Sequence, residues 1–155
     1  MNEKFMLEAI KLSEKWMNSN AGWPFWAVIV KDWKIIWKWR NKVTSTNDPT
    51  AHWEITAIRN ACKKLKTFDL SWCEIYTSCE PCPMCYSAIY RSRIDKIYYA
   101  ATENDATKIW FDDRKVRKAI INIWTKQTIP TTQILRDDAI KIFKKRESKK
   151  DKIKY

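Results

Sequence analysis

The single histidine of the chain, His52, stands two residues before Glu54, and thirty residues further on comes Pro81-Cys82-Pro83-Met84-Cys85. A fold that uses these side chains together has to bring two distant segments to one point. Cys82 and Cys85, three apart on a helix, lie on one face and can both reach a single ion. Pro81 has no N–H to leave unpaired and suits a first helical turn, so a helix is expected over 81–91. Thiolates near a helix N-terminus sit in a positive field that favours their deprotonated, metal-binding form. In mid-helix, residues two apart diverge. At a helix start, His52 and Glu54 can converge on an ion lying off the end.

Three ligands, His52, Cys82 and Cys85, leave the fourth tetrahedral position of zinc for water, the mark of a catalytic rather than a structural site. Zinc brings such a water's pKa to roughly 7. Glu54, unligated, is placed to accept its proton and pass it to a ring nitrogen and a leaving amine. The two motifs together match the His-x-Glu and Pro-Cys-x-x-Cys signature of zinc deaminases. Two alternatives use the same residues. Cys79 could close a structural four-ligand site, but this leaves Glu54 without a role and places one ligand outside the helix. A redox Cys-x-x-Cys gives no reason for the His-x-Glu pair. Cys62 and Cys73 read as small buried residues.

The rest of the pattern is that of a layered α/β domain. Amphipathic helices are expected over 2–18 and 51–65, the latter with Ile55, Ile58, Ala61, Cys62 and Leu65 at three- and four-residue spacing. Strands are expected at 27–30 and 34–38, joined by a tight turn at Asp32-Trp33, then at 74–77, 96–101 and near 132–135. Helices alternating with short strands predict a three-layer α/β/α sandwich around a sheet of about five strands. The 155 residues suit one domain, 1–155, ending in a basic helix and tail over about 136–155. No stretch is long and apolar enough for a membrane span or a signal peptide. Five cysteines without an export signal point to a reducing cytoplasm. The formal charge is +12, of which eight Lys/Arg against Glu147 and Asp151 place +6 beyond residue 140. Nucleic-acid binding would use such a charge, but A+T-rich coding, which inflates Lys, Ile and Asn, produces it as well.

Further stretches narrow the family. Asn41-Lys42-Val43-Thr44, Asn47-Asp48-Pro49-Thr50-Ala51-His52, Thr77-Ser78-Cys79-Glu80-Pro81-Cys82-Pro83-Met84-Cys85, Phe111-Asp112-Asp113 and the closing Tyr155 are together similar to the bacterial guanine deaminases of the cytidine-deaminase-like superfamily. The zinc signature specifies only the superfamily; Asn41, the Phe-Asp-Asp and the terminal Tyr carry the narrower resemblance. It implies hydrolysis of guanine to xanthine and ammonia, with zinc on His52, Cys82 and Cys85 and proton transfer by Glu54. It further implies that Asn41 hydrogen-bonds the purine, Phe25 walls the ring and Asp113 assists near the amine. Tyr155 would come from the neighbouring subunit of a homodimer that exchanges C-terminal segments. Arg91-Ser92-Arg93-Ile94 is shared with tRNA adenosine deaminases, the first rival reading, in which a flipped adenosine would be the substrate. A nucleic-acid-binding module with structural zinc is the second.

Ten Trp and one Gly invert normal usage. Most of the Trp positions look like Gly positions. Asp32-Trp33 occupies a hairpin turn where Asp-Gly supplies positive φ at little cost. Trp23-Pro24-Phe25-Trp26 stands where the resemblance implies Gly-Pro-Phe-Gly, and Trp53 separates the zinc ligand from Glu54. Aromatic platforms for nucleic acid would share a surface rather than occupy turns. A UGA codon that the source reads as glycine, translated here as tryptophan, accounts for the pattern.

Overall fold

The first helix, α1 (Glu3–Asn18), starts where Asn2 adopts an extended conformation and its side chain accepts the Lys4 amide. This satisfies one of the donors that a helix start leaves open. Its inward stripe, Phe5, Met6, Ala9, Ile10, Ser13 and Met17, lies flat on a sheet. The molecule is described by a computed structural model over residues 2–19, 23–40, 43–114, 116–117 and 131–150.

The sheet begins as a hairpin, β1 (Trp26–Lys31) and β2 (Lys34–Arg40), whose closing pair Lys31 and Lys34 encloses the two-residue turn Asp32-Trp33. A short helix, α2 (Val43–Thr46), leads to α3 (Trp53–Leu65), then β3 (Cys73–Cys79), α4 (Pro83–Arg91), β4 (Lys96–Ala101) and α5 (Glu103–Thr107). β5 (Thr131–Gln133) and α6 (Arg136–Ser148) complete the described residues. The strand order is β2-β1-β3-β4-β5, antiparallel up to β3 and parallel from β3 to β5.

Helices cover both faces. α3 packs on β1 and β2 and lies beside α4, whereas α1 packs on β1 to β3 and meets α6, which lies on β4. Strands covered on both sides cannot alternate apolar with polar residues. Accordingly Ala27, Val28 and Ile29 of β1 and Ile75 and Tyr76 of β3 are all fully buried. The three-layer sandwich with five strands is thus what the sequence pattern predicts. α6 is anchored through Asp105, which closes a capping box with Thr102 and takes two hydrogen bonds from the Arg136 guanidinium. Burial opposes charge on Asp105, yet Arg136 and Thr102 outweigh it and hold the carboxyl at about 2.

Two boundaries differ from expectation. The second motif helix opens at Pro83, not Pro81, so Cys82 is its N-cap and Cys85 lies in its first turn. In a Pro-Cys-Pro run either proline fits a first turn; the chain uses Pro81 to leave β3 and Pro83 to start the helix. The last strand is short, 131–133 rather than 132–135, because Leu135 turns into the left-handed region ahead of α6.

Among the described residues three tryptophans stand in left-handed backbone. Trp33 (φ 61°) follows Asp32 (φ 48°), the paired positive angles of the hairpin turn that favours Asp-Gly. Trp72 (φ 72°) is third in the turn closed by the Cys73 amide on the Leu70 carbonyl, where positive φ calls for glycine. Trp110 (φ 72°) sits past α5 in a Schellman pair, its amide on Thr107 and that of Phe111 on Ala106; glycine is usual there. Each costs on the order of 1–3 kcal/mol.

Candidate active site

Two helix starts meet beyond the end of β3. His52 is the N-cap of α3 and Cys82 that of α4, both extended, and neither side chain caps its own helix. Both are therefore free to turn toward a common point. The His52 Nδ1 lies 3.6 Å from the Cys82 Sγ and 3.5 Å from the Cys85 Sγ. All three ligand atoms fall within 4.8 Å of one another. A tetrahedral zinc with Zn–S of about 2.3 Å and Zn–N of about 2.1 Å requires S···N separations of about 3.6 Å. The donor set fits the ion in type and in spacing.

The electrostatics fit as well. A hydrogen bond from Cys85, joined by His52, brings the Cys82 thiol down to about 4 against the cost of burial. The pair thus carries a thiolate at neutral pH. Burial opposes charge on His52, but the hydrogen bond and negative charge of Cys82 outweigh it and raise its pKa. Cys79 stays outside the cluster: its Sγ points to the Thr102 carbonyl at 3.8 Å, and burial keeps it protonated. Among the described residues no fourth protein ligand joins the three.

Glu54, in the first turn of α3, is fully buried. Its Oε2 accepts the Cys85 thiol at 3.2 Å, whereas its Oε1 has no hydrogen-bond partner among the described residues. Burial, reinforced by the negative Cys82, pushes this carboxyl up to about 8. Asp113, half-buried, lines a small cavity together with Cys82, Trp53 and Phe111, and burial followed by Cys82 raises it to about 6.

Sequence reasoning had no signal for the neighbours of Asp113. The Arg117 guanidinium pairs with Glu80 at 3.5 Å and with Glu103, and the Glu103 amide donates to Glu80. Arg117 also donates its amide to the Asp113 carbonyl, so this ion cluster holds the Asp113 segment against the cavity. Glu80 and Glu103 are far apart in sequence, and only the turn after β3 and the end of β4 bring them together.

Phe25 is fully buried behind the cavity, in an aromatic group with two of its lining residues, Trp53 at 4.6 Å and Phe111 at 4.8 Å between ring centroids. The Trp53 indole lies nearly parallel to the His52 ring, 5.2 Å away and inclined by 8°. Asn41 and Tyr155 lie outside the described residues.

Residues 1–101 match the cytidine and deoxycytidylate deaminase zinc-binding region. The chain is 48% identical over 133 residues to the guanine deaminase of Bacillus subtilis, covering 86% of this chain and 85% of that one. The X-ray structure of a guanine deaminase from Bacillus subtilis superposes with a TM-score of 0.75 at 44% identity, covering 100% of this chain and 99% of that one. A tRNA-specific adenosine deaminase of Aquifex aeolicus is 39% identical over a shorter span of 103 residues, 66% of this chain and 68% of that one. With its ligand set, its unligated glutamate and its fold in agreement, the chain belongs to the zinc-dependent cytidine and deoxycytidylate deaminase family and is a hydrolytic enzyme.

Proposed function

We propose that this enzyme hydrolyses guanine to xanthine and ammonia. The observation that carries the reading is Glu54, a fully buried carboxylate with one open oxygen beside a three-ligand metal set. A structural zinc site would have no use for it. The narrower choice of guanine is supported by identity to a guanine deaminase that exceeds, in degree and span, that to the tRNA-specific enzyme.

Zinc on His52, Cys82 and Cys85 supplies the Lewis acidity that makes a water nucleophilic at neutral pH. The open Oε1 of Glu54 would take that water's proton, and burial, by raising the carboxyl's affinity for it, would keep the proton there until the purine accepts it. Asp113, from the opposite wall, holds a hydrogen bond at the departing amine. Phe25 and His52 bound the flat faces of the base, and Asn41 reads its edge. Tyr155, reaching over from the other subunit of a dimer that exchanges C-terminal segments, closes the site. The five cysteines, all free, support a cytoplasmic setting. Among the described residues no helix is long and apolar enough to cross a membrane.

Steady-state ammonia release with guanine, adenine, cytosine and tRNA as substrates tests the reading. Guanine is the expected substrate, and release from tRNA alone would transfer the enzyme to the adenosine branch. In the same assay, a chain ending at residue 150 keeps its zinc and loses about tenfold or more in turnover, as removal of a positioning contact does. Normal turnover by the truncated chain would leave the tail without a part in catalysis.

A further inference from the structure

The cavity beside Asp113 and Cys82 is too full for its proposed substrate. The space left within it is on the order of a single water molecule's. Trp53, 3% exposed, is the bulkiest side chain that lines it. The indole stacks on the His52 ring and meets the Phe25 ring at a tilt of 31°. Indole and purine are both flat, fused five- and six-membered rings. Trp53 therefore occupies space beside His52 and Phe25 that a base of the same shape would need.

The indole is also poorly suited to that place. Its Nε1–H is buried and has no acceptor among the described residues, and the same is true of Trp26 at the start of β1. Buried indole N–H groups ordinarily find a partner. Elsewhere the misfit is in the backbone. Trp33, Trp72 and Trp110 take φ of 61°, 72° and 72° in three different turn motifs, each with a position that favours glycine. Their side chains gain nothing in return, being 72%, 76% and 83% exposed. Unpartnered buried indoles, left-handed exposed indoles and a count of ten Trp to one Gly are independent signs of one substitution.

We propose that the working protein carries glycine, not tryptophan, at positions 33, 53, 72 and 110, and that glycine at 53 opens a base-binding slot beside His52 and Phe25. A UGA codon that the source reads as glycine, decoded here as tryptophan, produces all four at once. The part concerning the slot rests on the purine reading above. With glycine at 53, α3 still starts at the same point, because its N-cap is His52 and glycine costs little in a first turn. The ligands and Glu54 keep their places while a ring-sized volume opens beside them.

Peptide mass spectrometry of the protein purified from its source reads the residues directly; glycine is expected, and tryptophan at 33 and 53 would overturn the proposal. Recombinant variants test the physical part. W33G/W72G/W110G should raise the melting temperature by about 10 °C, from relief of three left-handed tryptophans. An unchanged or lower melting temperature counts against it. Adding W53G should leave one zinc per chain by elemental analysis, permit binding of 8-azaguanine by calorimetry, and raise guanine turnover by about a hundredfold or more. A W53G chain that binds an aminopurine but deaminates a different one than guanine refutes the guanine reading and upholds the slot. A zinc-loaded W53G chain that binds no purine better than the Trp53 chain refutes the slot.

Discussion

Glu54→Gln keeps its zinc and loses about a hundredfold or more in turnover. The amide has nearly the volume of the carboxyl, so the first turn of α3 and the ligands His52, Cys82 and Cys85 are not displaced. Its carbonyl oxygen can still lie 3.2 Å from the Cys85 sulfur, as Oε2 does. What is lost is the capacity to take a proton at Oε1, the atom that no other described residue satisfies. Elemental analysis together with steady-state ammonia release separates the two effects, since metal content should not change while turnover falls. Near-normal turnover in a folded, zinc-loaded Glu54→Gln enzyme would remove Glu54 from the proton path.

Cys82→Ala has the larger effect, because it removes metal and activity together. Cys82 is the thiol that the site holds deprotonated, with Cys85 and His52 both lowering it to about 4. Alanine leaves one thiol and one imidazole. That is two protein donors where a catalytic zinc takes three, too few to hold the ion. Zinc content should fall to a small fraction of one per chain, and turnover by about ten-thousand-fold or more, as Lewis-acid and proton-transfer contributions vanish at once. A Cys82→Ala chain that retains both zinc and ammonia release would overturn the ligand assignment.

The ligand set was legible from sequence because its spacing belongs to local structure. A Cys-x-x-Cys at a helix start and a His-x-Glu at another leave few ways to converge. The layered fold was legible because helices alternate with short strands and β1 is a continuous apolar run, which suits a sheet covered on both faces. The start of α4 was misplaced by two residues, since Pro81 and Pro83 satisfy the same local rule and only the path out of β3 distinguishes them. The ion cluster of Glu80, Glu103 and Arg117 was not legible at all. Its members are ordinary charged residues in sequence, and their function as a support for Asp113 exists only once β3 and β4 lie side by side. Trp53 was recognised as out of place, but its packing on the His52 and Phe25 rings follows only from the structure.

Both motif halves lie at the same end of their elements, which bears on how much the chain between them can vary. From His52 the polypeptide runs down the thirteen residues of α3, about 20 Å, turns, and climbs back through β3 to Cys82. The turn at its far end carries the exposed Phe68 and Trp72 and is remote from the metal. Lengthening a surface turn by a few residues adds only a slowly growing closure entropy, and such tips accept insertions readily. The interval of thirty residues between His52 and Cys82 is therefore an accident of loop length rather than a requirement of catalysis. Relatives with the same chemistry should show intervals that differ by whatever has been inserted at 66–72, and a search that demands a set distance between the two halves will pass over them.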